Sequence, residues 1–155
     1  MPSIDNATRL LKTDFDLDYV LLGADQADYL STTVATRGAS VALGPDFLRE
    51  ERGTTSNLAE ALASSGISIA ITTGTSGTRD LALYAVRAVR YGLDPVEALK
   101  AVTAGPARMA KLAGRLGSLE RGRDADLVFY SGEPFNLASQ VRRVMISGKT
   151  VFEKR

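Results

Sequence analysis

The chain predicts an α/β protein in which three parallel strands alternate with helices and a small β unit closes the C-terminus. Three observations carry this. Short continuous apolar runs recur at Tyr19–Leu22, Ser40–Leu43 and Ile67–Thr72, the pattern of buried parallel strands. Segments with helical apolar spacing stand between and after them. From Leu127 onwards the pattern changes to short apolar strands separated by glycine turns.

Taken in order, Ile4, Ala7, Leu10 and Leu11 fall at helical spacing and predict an amphipathic helix to Thr13, with Ser3 as its cap. Asp14-Phe15-Asp16-Leu17-Asp18 reads as a solvated acidic loop. After the first strand, which Gly23 ends, a helix is expected from Asp25 or Gln26 to Thr36, with Gly38 at its C-cap. The second strand stops at Gly44-Pro45, and polar Asp46–Thr55 reads as an exposed loop. Ser56 or Asn57 caps the next helix and Gly66 closes it, before the strongly β-branched third strand. This succession predicts right-handed βαβ units.

Gly74-Thr75-Ser76-Gly77-Thr78 then leads into a helix from Arg79 or Asp80 to Arg90, stopped by Gly92. Asp94 and Pro95 fit the N-cap and first position of another helix. A shorter one after Gly105-Pro106 carries Ala107, Met109, Ala110 and Leu112 as a packing stripe. The tail holds a strand from Leu127 and a hairpin, Val141 to Glu153, folded at Ser147-Gly148-Lys149.

Nineteen Lys+Arg against eighteen Asp+Glu leave a net charge of +1, so no strong field would hold nucleic acid or an anionic membrane. No apolar run reaches the roughly 18 residues of a membrane span, and Met1–Asp5 lacks the basic start and apolar core of a secretory signal. A soluble, cytoplasmic protein is the expectation. The chain has no cysteine and no histidine, so thiolate and imidazole chemistry are excluded and any metal site would need oxygen ligands alone.

The most specific stretch is Gly117-Ser118-Leu119-Glu120-Arg121-Gly122-Arg123-Asp124-Ala125-Asp126-Leu127-Val128. It resembles the closing segment of the metal-dependent amidohydrolase superfamily, of the imidazolonepropionase/prolidase-like branch, with Arg123 where the pattern has Lys. Tyr91–Leu99 and Thr103–Ala107 are similar to the family's helix pair before that segment, with Gly105 where members often have Asn. The resemblance implies that Tyr19–Leu22, Ser40–Leu43 and Ile67–Thr72 correspond to the sixth, seventh and eighth strands of a (β/α) barrel. A complete barrel takes about 250 residues, so a partial one is expected over residues 1–113, followed by a β-sandwich-like segment over 114–155.

The family uses zinc or another divalent metal, held by strand-end histidines and by an aspartate after the last strand, to activate water. Bound metal lowers the pKa of water towards about 7. At the matching positions this chain has Gly23 and Gly74. No cofactor is therefore expected, and no catalytic or metal residue is assigned. Asp25, Asp28 and Asp80 lie nearby, and surface or capping roles account for them. The loop Gly74, Thr75, Ser76, Gly77 and Thr78 is a candidate anion cradle, although a tight turn explains it more simply; it lacks P-loop lysine, and Ser76 has no histidine base.

The expected function is that of an amidohydrolase-like protein, inactive alone, serving as a structural or interaction subunit or a remnant of a longer gene. A hydrolase of non-peptide C–N bonds completed by a partner chain is the alternative, and a small anion-binding module is a third. Open barrel edges invite pairing, so a homo-oligomer or a complementary amidohydrolase chain is the expected partner.

Overall fold

The computed structural model describes residues 2–23, 27–74, 77 and 80–154. Helix α1 (Pro2–Thr8) passes into a π-helical turn over Arg9–Asp14. Ser3 therefore lies inside the first turn instead of capping it. Strand β1 (Val20–Leu22) follows, then a 3₁₀ turn (Ala27–Leu30) that tightens the entry to α2 (Ser31–Thr36), and β2 (Ser40–Leu43). The α2 helix ends through Gly38, whose φ of 64° is the left-handed value a C-cap glycine supplies without strain.

Residues 46–55, expected to be an exposed loop, instead form most of a hairpin of β3 (Leu48–Glu51) and β4 (Thr54–Asn57). Arg49 faces Ser56 and Glu50 faces Thr55 across the antiparallel ladder. Its turn is Arg52-Gly53, with φ 51° and 81°, the double positive φ that suits strand twist. An Arg at the first turn position and charged strands hid this hairpin from the pattern. Phe47, just before it, is only 2% exposed and sits in the main core.

Helix α3 (Leu58–Ser64) begins at Asn57, whose Oδ1 accepts the Ala59 N–H at 3.0 Å. The same side chain donates through Nδ2 to the carbonyls of Ala88 (2.9 Å) and Tyr91 (3.2 Å). One buried residue thus caps α3 and holds the end of α4 (Leu81–Arg90), reached through β5 (Ile69–Ile71). Asp94 then caps α5 (Pro95–Val102), accepting from Val96 at 2.8 Å and Glu97 at 3.2 Å, and α6 (Ala104–Met109) follows. The expected stripe on α6 holds only in part, because Gly105 and Ala107 are buried whereas Ala110 and Leu112 are exposed.

The first sheet is parallel in the order β1-β2-β5, with Leu21 beside Val41 and Val41 beside Ile69. Because side chains alternate, Val41, Leu43, Ile69 and Ile71 share the face that joins the core with Leu58, Leu62 and Val34. Ala42 and Ala70 occupy the other face and are also buried. β1 departs from the expected buried strand: it is an edge, and Leu22 is 78% exposed. The second sheet is antiparallel, β6 (Leu127–Tyr130), β7 (Val141–Ile146) and β8 (Lys149–Glu153), with a Ser147-Gly148 turn at φ 49° and 75°. Among the described residues no helix is long and apolar enough to cross a membrane.

Candidate functional site

In open parallel sheets ligands gather at the carboxyl ends of the strands, and here those ends are Leu22, Leu43 and Ile71. Beyond them stand Gly23, Gly44-Pro45 and Thr72-Thr73-Gly74. Gly23 donates its N–H to Ala42 O at 3.2 Å, extending the β1 ladder by one bond, and turns away at φ 59°. Thr72 is tied to β2 twice, through its N–H (2.8 Å) and its hydroxyl (3.1 Å), both donated to Leu43 O.

Gly74 also turns, at φ 56°, and donates its N–H to Thr72 Oγ1 at 3.4 Å. A Cβ there would lie 3.3 Å from Pro45 Cδ, so the rim is packed tightly at this point. Within the candidate anion loop, Gly74 thus has its N–H directed back at Thr72. Gly77 is exposed, and Thr75, Ser76 and Thr78 lie outside the described residues. Asp25 does too. Asp80 is exposed and makes no side-chain hydrogen bond to the start of α4, so of the surface and capping roles expected of it the structure shows the surface one.

Among the described residues, the strand ends therefore do not fit a zinc centre. Glycine offers no side-chain ligand, the Thr72 hydroxyl is engaged on both sides, and the chain contains no imidazole. Among the described residues no group of three or more His, Cys, Asp or Glu could hold a metal.

The Gly117–Val128 stretch does structural work that its spacing did not reveal. Asp124 accepts from Arg115 at 2.6 Å, while its N–H donates to Arg115 O at 2.9 Å. Asp126 Oδ1 accepts the Ser147 N–H at 2.7 Å, and Gly148 donates to Ala125 O at 3.0 Å, so the segment clamps the β7–β8 turn. Glu120 accepts from Arg123 at 3.0 Å; that bond, then one with Ser118, holds its carboxyl below the ordinary value. Arg123 keeps Nη1 buried without a partner, a group that the Lys of the resembled pattern would not bring. Gly117 adopts φ 90°, and a Cβ there would approach Ala107 Cβ to 2.7 Å. Gly105 is tighter still: a Cβ would fall 2.3 Å from Ile69 O. Helix α6 thus rests its backbone directly on β5, and Gly105 is what allows it.

Parallel strands with helices between them, followed by helices and a clamped antiparallel sheet, make up the α/β arrangement that the resemblance implied. Residues 17–151 match the model of the amidohydrolase family, and the chain belongs to that family. It is similar to an adenine deaminase of Methanosphaera stadtmanae, 46% identical over 70 residues that make up 44% of this chain and 12% of that protein. It is also similar to an amidohydrolase, tasK, of Hapsidospora irregularis, at 34% over 71 residues, 46% of this chain and 7% of that one. The crystal structure of an amidohydrolase from Thermotoga maritima superposes with a TM-score of 0.81 at 32% identity, over 97% of this chain and 41% of that one. The chain thus spans well under half the length of each.

Proposed function

We propose that this chain is a non-catalytic member of the amidohydrolase family that contributes frame and contact surface, acting with further copies of itself or with a complementary amidohydrolase chain. The observation that carries this reading is the strand-end rim, where Gly23 and Gly74 stand at the positions the resemblance assigns to metal ligands. The open β1 edge, with Leu22 exposed, supports the need for a partner.

A second reading, a hydrolase of non-peptide C–N bonds completed by a partner chain, is favoured by the likeness to a relative named as an adenine deaminase. Metal analysis separates the two. The purified chain, loaded with zinc and desalted, is expected to retain no stoichiometric metal and to show no chelator-sensitive hydrolysis of amides or cyclic imides. Retained metal with such hydrolysis would overturn the first reading. Sedimentation at micromolar concentration is expected to show self-association, or pull-downs a bound amidohydrolase chain. A compact monomer with neither would remove the partner.

A further inference from the structure

At the opposite end of the parallel sheet, the amino ends of the strands line a cavity of about 490 Å³, within the range of small-molecule sites. Its wall includes Lys12 of the π-helical turn, Arg37 after α2, Ser40 at the start of β2, Ser68 before β5, Arg108 in α6 and Lys111 just after it. The one acid on the wall is Asp18.

The cations are not equally occupied. Arg37 is committed, at 2.8 Å from Asp5 Oδ1 and 2.5 Å from Thr8 Oγ1. Lys12 is held by Asp16 at 2.8 Å, outside the wall, and reaches Asp18 only at 3.8 Å. Lys111 shares that same Asp18, also at 3.8 Å. Arg108 has no carboxylate partner among the described residues and touches only Ser68 Oγ, at 3.3 Å. Tyr19, also on the wall, has its hydroxyl buried. Its surroundings are those of the Thr8–Arg37 cluster, where the Thr8 hydroxyl donates to Asp5 O and accepts from Arg37. The cavity therefore holds an excess of cations and a guanidinium that, among the described residues, is free of any carboxylate.

We propose that this amino-end cavity binds a small phosphate-bearing anion, gripped by Arg108 and Lys111 with the Ser68 and Ser40 hydroxyls beside them. Arginine and lysine with hydroxyl donors suit phosphate oxygens, and Asp18, set between two lysines, leaves their remaining protons for the ligand. The site is independent of the metal question, because it lies across the sheet from Gly23 and Gly74.

The test is calorimetric titration of the full chain with inorganic phosphate and with ribose 5-phosphate at constant ionic strength. Saturable binding in the range of about 1 mM or tighter is expected. Arg108→Ala and Lys111→Ala should each weaken it about tenfold, Arg108→Lys should recover part of the loss, and Arg142→Ala, on the distant β7, should change nothing. Tighter binding of the sugar phosphate would mark an organic phosphate as the ligand, and equal binding free phosphate; either supports the site. No saturable binding of either probe, or equal binding by all four variants, would overturn it. Arg108 and Lys111 are exposed, so the variants are expected to fold, and melting temperatures within about 2 °C of the parent check this.

Discussion

The two sheets of this molecule are built on different terms. Around the parallel sheet, from Thr8 to Ala107, lie all the buried residues among those described; from Arg108 to Lys154 there is none. The first region is held by apolar burial. The second is held by ladder bonds, by glycine turns, by the Arg115–Asp124 ion pair and by Asp126 holding the Ser147 N–H. Val128, Ile146 and Phe152 remain half-exposed. A segment can thus carry the most specific sequence signature of a chain while contributing little to its core, because the signature encodes backbone geometry.

Matched truncations should expose that contrast most strongly. Phe47→Ala, in the core, is expected to cost about 3–5 kcal/mol, whereas Phe152→Ala, 47% exposed on β8, should cost less than about 1 kcal/mol. Urea denaturation of the pair measures both, and equal losses would show that the second sheet has a core of its own. Next in size is Gly105→Asn, which restores the residue of the resembled pattern but drives a Cβ against Ile69 O. A loss of about 3 kcal/mol is expected, read by the same method; no loss would mean that α6 lifts readily off β5.

A smaller effect is expected of Asp126→Ala. Removing the acceptor of the exposed Ser147 N–H should cost about 1 kcal/mol and raise amide exchange at Ser147 while leaving the parallel sheet protected. Exchange that rises in both sheets would join them into one cooperative unit.

The smallest effect is that of pH. The Lys12 hydrogen bond holds the Asp16 carboxyl below its ordinary 3.8, and Arg123 holds Glu120 below 4.5, so their contributions are present above those values and are lost as pH falls through the lowered ones. Bonding to Asp16 raises Lys12 above 10.5, so its contribution is present below that value and is lost as pH rises through the raised one. All three groups are exposed, and the melting temperature should owe them no change between about pH 6 and pH 9. Asp16→Asn should soften the fall on the acid side, and a variant that melts identically at every pH would show the Lys12 pair to be without effect.

Much of the frame was legible. The three strands, the Asp94 cap, the Gly38 and Gly66 turns and the terminal hairpin follow from local chemistry that acts within a few residues. The β3–β4 hairpin was not, since its strands are charged and its turn begins at Arg52. Nor were the double role of Asn57 and the clamp by Asp126, whose partners lie 31 and 21 residues away.

The order of residues alone determined that no imidazole or thiolate can serve this chain, and that glycines end the strands where metal ligands were expected. Only the tertiary structure decided that β1 is an open edge, that Gly105 must be small because a strand carbonyl lies against it, and that cations from separate elements meet at the amino ends of the strands. The physical reason is reach: caps and turns are settled between neighbours in sequence, whereas close approach and converging charge exist only once distant segments have packed.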